Sequence, residues 1–450
     1  MDNKSKLQSR TLTGEFFLMV LAGIFSAYLS KSFQTPVAYW PAVLGVLLVA
    51  VGLDHQKLLV FGTSLWLLYP HEYLTTDSTI SFLNPTILLI LVYYFKFRQA
   101  PRRAGLLLLS LTSAFMLFRC LESISVQRSL GWTFQFLVLI WLIGSTQKSN
   151  AASNFDKFFR CISWLILVLS ALSLLEYLFK RPLIFNGILL PSYTEAFKWV
   201  SYSTFRIQTT LGHPLNNGLT FSTMALVFLL AWIEGKGGRL PFAVFIAASF
   251  ATVISGSRTA SIALVLGAAL VFVLNWRKIP SISRALFLVF TPVLGLTFYL
   301  SPYFQDIQFR SQSLEGTQSQ TYRLDLLNWI DYFAKNYLYA GSGPGTSGEV
   351  WAVIGNGAPL ENGIMQTWVS LGLFGAITLI LATFYFYLSS FQKGAWVCAI
   401  PILFYVPTTN FLESASCFLP FIGLVLIICS SNSDFQVLPD PQLEKESNLV

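Results

Sequence analysis

Three arginines stand in segments that could act on an anion: Arg206 in FRIQTTLGHP, Arg258 in SGSRTAS and Arg323 in QTYRLDLLNW. A guanidinium stays charged at any working pH and presents a planar fork of N–H donors that matches phosphate oxygens. Three brought together on one leaflet suggest a site for a phosphorylated, membrane-borne substrate. Neutral hydrogen-bonding groups accompany them. His213 and Asn217 follow Arg206, and Ser257 precedes Arg258. A fourth motif, LENGIMQTW, supplies Glu361, Asn362 and Gln366. A carboxylate held among arginines at a membrane boundary is a candidate general base, or a partner fixing one of them, and Glu361 is the candidate here. Each motif also has a plainer reading. Arg206 could snorkel from a helix start, Arg258 could anchor an interface, and Arg323 could form a weak surface pair with Asp325. Glu361 could simply favour a helix N-terminus.

The elements that must position these residues are apolar. Of the 450 residues, 54% are hydrophobic and only 11% charged, and the mean hydropathy is +0.61. A soluble domain carries about a quarter of its residues as charges. The surroundings of most of this chain are therefore lipid, and its net charge of +8 reflects a bias of cytoplasmic loops rather than nucleic-acid binding. Apolar runs occur near 15–31, 36–53, 57–70, 80–96, 104–121, 130–145, 158–179, 214–233, 240–255, 258–276, 283–301, 361–388, 394–408 and 416–431. Backbone groups in hydrocarbon must be satisfied internally, so each run predicts a helix. The 57–70 and 394–408 runs are short enough to be re-entrant. The expected fold is an all-α polytopic membrane protein of about 12 to 14 transmembrane helices.

Charge orients it. With Lys4, Lys6 and Arg10 in the cytoplasm, alternation puts Lys57, Lys96 to Arg103, Lys148 to Arg160, Lys236 and Arg239, Arg277 to Arg284 and Lys393 on the same side. The short opposite loops carry few basic residues, as the positive-inside rule demands. Both termini are then cytoplasmic, and the four motifs fall at the outer face. Two outer connections are long, at 180–213 and 302–360, and a long connection in a compact protein is often functional. The second contains the helix-like DLLNWIDYFAKNYLYA and the cluster GSGPGTSG at 341–348, which predicts a flexible or tightly turning segment. Residues 1–431 form the membrane domain, and 432–450 read as a polar, disordered cytoplasmic tail.

The order of motifs resembles the O-antigen ligase and O-antigen polymerase superfamily of bacterial inner-membrane proteins. It runs R…G-H-P-x-N-x-G, then S-x-S-R-T-A at a helix start, then Y-R-x-x-x-x-x-W in a long outer loop, then E-N-G-x-x-Q-x-x-x-x-x-G-L-x-G. The resemblance covers about 200–380. It implies a helical glycosyltransferase-like fold and inverting, metal-independent transfer of a glycan from a polyprenyl (undecaprenyl) diphosphate donor on the outer face. It also implies that Arg206, Arg258 and Arg323 grip the donor diphosphate, whose developing charge the catalyst must stabilise. Arg323 and Glu361 are the catalytic candidates, with His213, Asn217, Ser257, Asn362 and Gln366 in support. Lipid A-core ligases of the superfamily carry a histidine before the asparagine where this chain has Glu361. The acid is closer to the O-antigen or exopolysaccharide polymerase branch. Ligation of the glycan to a lipid or protein acceptor is the alternative. A flippase and a chain-length regulator are expected partners by the same resemblance.

Other chemistries have no motif here. The chain lacks a P-loop, a GxSxG elbow, a Rossmann glycine pattern and any metal-ligand spacing among its three histidines, so no cofactor or metal is expected. The five cysteines lie in or beside apolar runs without a CxxC pair and read as packing residues. A small-solute or inorganic-anion transporter is the alternative of another class. It would place ionisable groups near the bilayer midplane, whereas the polar motifs here gather at one boundary. A flippase would need polar residues at both faces.

Overall fold

The structure, a computed structural model, describes residues 103–145, 155–183, 205–279, 324–354 and 360–408 apart from short gaps, with scattered positions at 51–68, 92, 281–285 and 321. Among the described residues every regular element is a helix. They are α1 (Arg103–Leu121), α2 (Val126–Ser145), α3 (Phe155–Phe179), α4 (Pro214–Ile233), α5 (Leu240–Ile254), α6 (Arg258–Leu274), α7 (Ile330–Tyr337), α8 (Ser347–Ile354), α9 (Gly363–Ser390) and α10 (Ile400–Tyr405). The expected runs from 104–121 to 258–276, and 361–388, coincide with α1 to α6 and α9 to within a few residues. The 394–408 run is a 3-10 turn, Ala395–Ala399, followed by the six-residue α10. The runs at 15–31, 36–53, 57–70, 80–96, 283–301 and 416–431 lie wholly or largely outside the described residues.

Helix α4 is the axis of the larger core. Every residue from Asn216 to Ala231 is buried. A helix that is apolar around its whole circumference must be enclosed by neighbours. Here α5, α6 and α10 pack on it, and Phe159 of α3 meets Phe228 with ring centroids 4.7 Å apart. Small residues allow this closeness: Ala225, Ala248, Ala251, Ala260 and Ala263 have no exposed surface, and small residues are what let helix backbones approach.

A second core is built from the 302–360 connection. Leu326, Phe333, Val350 and Trp351 pack with Met365 and Val369 of α9. Trp351 takes Trp329 edge-on at 5.4 Å. The chain is helical over 324–328 and, after a turn at Trp329, again through α7. The helix-like reading of this loop is therefore correct over those residues.

Helix α9 is broken at Gly372, where φ 71 and ψ 171 lie in a region essentially reserved for glycine. A break strands backbone groups that a continuous helix would pair. The GSGPGTSG segment supplies partners: Ser342 N donates to Val369 O at 2.7 Å and Gly343 N to Ser370 O at 2.9 Å, while Leu373 N donates to Leu338 O at 2.7 Å. A Cβ on Gly372 would press on the Tyr339 carbonyl, and one on Gly341 would press on Ser370 and Gly372. Of the two readings of this cluster, tight turning is the one realised. Ser342, Thr346 and Ser347 are buried.

Among the described residues two helices, Phe159–Phe179 and Pro214–Ile233, are long and apolar enough to cross a membrane by length and composition. The 15 residues of α5 span only about 22 Å, short of the roughly 30 Å of hydrocarbon. The outward faces of α1, α3, α5 and α6 are apolar. Leu107, Leu111 and Phe118 on α1, Trp164, Val168 and Leu175 on α3, Ile246 and Phe250 on α5, and Ile262, Val265 and Val273 on α6 are all exposed.

Candidate functional site at one end of the bundle

The segment that follows the first long connection is bent into place before α4 begins. Gln208 is in the right-handed helical region and Thr209 in the left-handed one (φ 47). A 3-10 turn, Thr209–Leu211, then ends at Gly212 with φ 74, and Pro214 opens α4. Glycine adopts that φ without penalty, and proline suits the first helical position because its missing N–H has no partner there. Asn217 fastens the bend from the first turn of α4. Its Nδ2 donates to Gln208 O at 2.7 Å, and its Oδ1 accepts from Thr209 Oγ1 at 2.5 Å. Arg206 is half-buried just before the bend, and its Nε donates to Ser255 O at 3.3 Å.

That hydrogen bond reaches the α5–α6 turn, the second motif. Ser257 is the N-cap of α6: its Oγ accepts from Ala260 N at 3.3 Å. The same hydroxyl meets the Tyr405 hydroxyl of α10 at 2.7 Å. Ser255 and Ser257 are buried, while Arg258, the first residue of α6, is exposed. The motif glycine Gly218 makes this crossing possible. A Cβ there would lie 2.7 Å from Ser257 Cβ, 2.8 Å from Tyr405 Oη and 3.0 Å from Ala260 Cβ.

The fourth motif joins through the same short helix, since Gly363 N donates to Val406 O at 2.8 Å. Asn362 caps α9, its Oδ1 accepting from Ile364 N and Met365 N, both at 3.0 Å. Gln366 is buried and its Nε2 donates to Leu360 O at 3.0 Å. Thus Arg206, Ser257 and Arg258, Asn217, Asn362 and Gln366 come to one end of the bundle, with the Tyr405–Val406 corner between them. Arg323, Glu361 and His213 lie outside the described residues.

Two arginines the motifs leave out hold the glycine-rich segment at this end. Buried Arg119 pairs with Glu122, and its Nη2 donates to Gly341 O at 3.0 Å. Arg128 Nε donates to Gly345 O at 2.8 Å, with its Nη1 3.5 Å from Glu349 Oε1. In α7, burial raises the Tyr337 phenol above its ordinary pKa and Tyr332 adds to the shift, so Tyr337 stays neutral through the physiological range.

Tyr405 and Glu176 are the residues that motif reading did not single out. A tyrosine in an apolar run carries no signal of its own. Glu176 did carry one: it is the sole acid in the 158–179 run, and an acid in a membrane-length apolar helix is expensive unless it serves a purpose.

The described residues are thus helical, with apolar outward faces and polar groups converging where five helix ends meet. Residues 243–380 match the family described as O-Antigen ligase, and no curated protein and no solved structure matches the chain. The match takes in the motifs of Arg258, Arg323 and Glu361, whereas that of Arg206 precedes it. It supports the resemblance to the O-antigen ligase and polymerase superfamily over that segment, and the broad class of membrane glycan assembly that the superfamily's name carries.

Proposed function

We propose that this protein transfers or polymerises glycan repeat units carried on a polyprenyl diphosphate, at the outer face of a bacterial inner membrane and without a metal. The observation that carries the reading is the hydrogen bond from Arg206 to the carbonyl of Ser255, three residues before Arg258. It ties two arginine motifs, far apart in the chain, to one end of the bundle, beside the start of α9. Two guanidiniums facing one ligand suit a diphosphate leaving group, and Arg323 is the third member by motif.

The chemistry is then an inverting displacement. The acceptor hydroxyl attacks the anomeric carbon, the bond to the diphosphate oxygen breaks, and the acceptor proton passes to a base, for which Glu361 is the candidate. Preorganised arginines stabilise the charge that develops on the departing diphosphate. In this reading the protein is polytopic, with both termini cytoplasmic, and a flippase delivers the donor.

The test is Arg206→Ala and Arg258→Ala in the native host, with protein level, surface glycan and lipid-linked glycan measured together. Loss of one oxyanion donor in other enzymes costs about 10²–10³ in rate, and a loss of that order is expected here. Accumulation of single lipid-linked repeats identifies a polymerase, and accumulation of full-length polymer on the carrier identifies a ligase. Unchanged pools in both variants would refute the glycan reading and turn attention to solute uptake.

A further inference from the structure

Glu176 sits one turn before the end of α3 with no exposed surface. Its Oε2 accepts from two successive backbone N–H groups, Gln208 at 2.8 Å and Thr209 at 2.9 Å. Its Oε1 accepts from Leu183 N at 3.0 Å. Successive N–H groups in a right-handed then left-handed pair of residues form a concave nest for an anionic oxygen. Gln208 and Thr209 have that pair of conformations, and Glu176 occupies the nest from within the protein.

Two features make this more than a buried acid made comfortable. Leu183 and Gln208 stand at the two ends of the first long connection, so one side chain fastens entry to exit. And Thr209, a β-branched residue, is held at φ 47, a conformation that non-glycine residues keep only when their surroundings impose it. Glu176 from below and Asn217 from the side impose it. The chain then has no freedom at Arg206: Ile207 next to it has no exposed surface, Gln208 and Thr209 are in the nest, and the guanidinium is on Ser255 O.

We propose that Glu176 is a positioning residue for Arg206, setting the guanidinium at the height and angle at which it meets the diphosphate of the substrate. The inference rests on the functional reading above. Glutamine at 176 replaces one oxygen by an NH₂ group, a donor that cannot face another N–H. It can satisfy the nest or Leu183, not both. A displacement of about 1 Å at a substrate-binding group costs on the order of a hundredfold in rate.

The experiment is a double-mutant cycle in membrane vesicles, with the lipid-linked glycan extracted from a host lacking this gene as the donor. Wild type, Glu176→Gln, Arg206→Ala and the double variant are compared at matched protein level. The proposal expects Glu176→Gln to lower kcat/KM by roughly 10- to 100-fold, and to lower it by less than about twofold once Arg206 is already alanine, because coupled residues are not additive. Two independent, multiplying losses would overturn the positioning role while leaving the diphosphate reading intact, and so would a fully active Glu176→Gln. A fully active Arg206→Ala would instead overturn the reading of the site, and this inference with it. If Glu176→Gln does not accumulate in the membrane, the same cycle with Glu176→Asp, which withdraws the carboxyl group by one methylene, decides by the same criteria.

Discussion

Removing a single oxygen from Tyr405 isolates the hydrogen bond that joins α10 to the start of α6. The Tyr405 side chain has no exposed surface and Ser257 almost none, and their hydroxyls lie 2.7 Å apart. Tyr405→Phe keeps the ring and its packing. It removes one hydrogen bond between neutral groups, worth about 1 kcal/mol. It also leaves the Ser257 hydroxyl buried beside a ring edge, although Ala260 N still donates to it at 3.3 Å. The sum is a loss of about 1–2 kcal/mol. Tyr405→Ala removes the ring as well and opens a cavity, at about 3–5 kcal/mol. Thermal unfolding in detergent, followed by loss of monodisperse protein, should therefore rank wild type, Tyr405→Phe and Tyr405→Ala in that order, with a clear gap between the last two. Ser257, which the Tyr405 hydroxyl holds, lies two residues from Ser255, whose carbonyl accepts from Arg206 Nε at 3.3 Å. Glycan transfer by Tyr405→Phe should accordingly fall by more than its stability does. If Tyr405→Phe matches wild type in both stability and transfer, the hydroxyl holds nothing together and the argument for this corner fails. If it is as unstable as Tyr405→Ala, the partition between hydroxyl and ring is wrong.

Three further perturbations follow from the same geometry. Gly372→Ala should abolish accumulation of folded protein, because it combines a backbone conformation open to glycine alone with a collision on the Tyr339 carbonyl; a wild-type level on an immunoblot of membranes would contradict this. Asn362→Ala should cost about 1 kcal/mol and Asn362→Ser only a few tenths, since serine also caps, and hydrogen exchange at Ile364 and Met365 should speed up in the alanine variant alone. Arg128→Lys removes the Nε donor to Gly345 O and should make the 341–348 segment more accessible to limited proteolysis, with Arg128→Gln behaving alike because charge is not what the carbonyl needs.

Much of the helical architecture was legible in the residues. A run of apolar side chains long enough to enter lipid leaves its backbone one way to pair its polar groups, so α1 to α6 and α9 begin and end close to where the runs do. One motif feature was legible as well: the S-x-S-R-T-A motif reads as a helix start, and α6 does begin at Arg258. Glu176 is an instructive case. Its type and place in an apolar run carried a warning, yet nothing local said that its partners would be Gln208 and Thr209, because the intervening connection could have returned anywhere along α3.

What the amino-acid sequence determined by itself, among the described residues, is therefore helices α1 to α6 and α9 and the clustering of polar motifs at their ends. Each depends on residues near one another in the chain. Tertiary structure alone decided which helix ends meet: Tyr405 with Ser257, Arg119 with Gly341, Gly363 with Val406. It also decided that the GSGPGTSG segment would mend a broken helix instead of swinging free. A hydrogen bond between distant residues leaves no periodicity and no composition bias behind. It exists only because close-packed helices, spaced by Gly218 and the small alanines, bring those particular groups within reach.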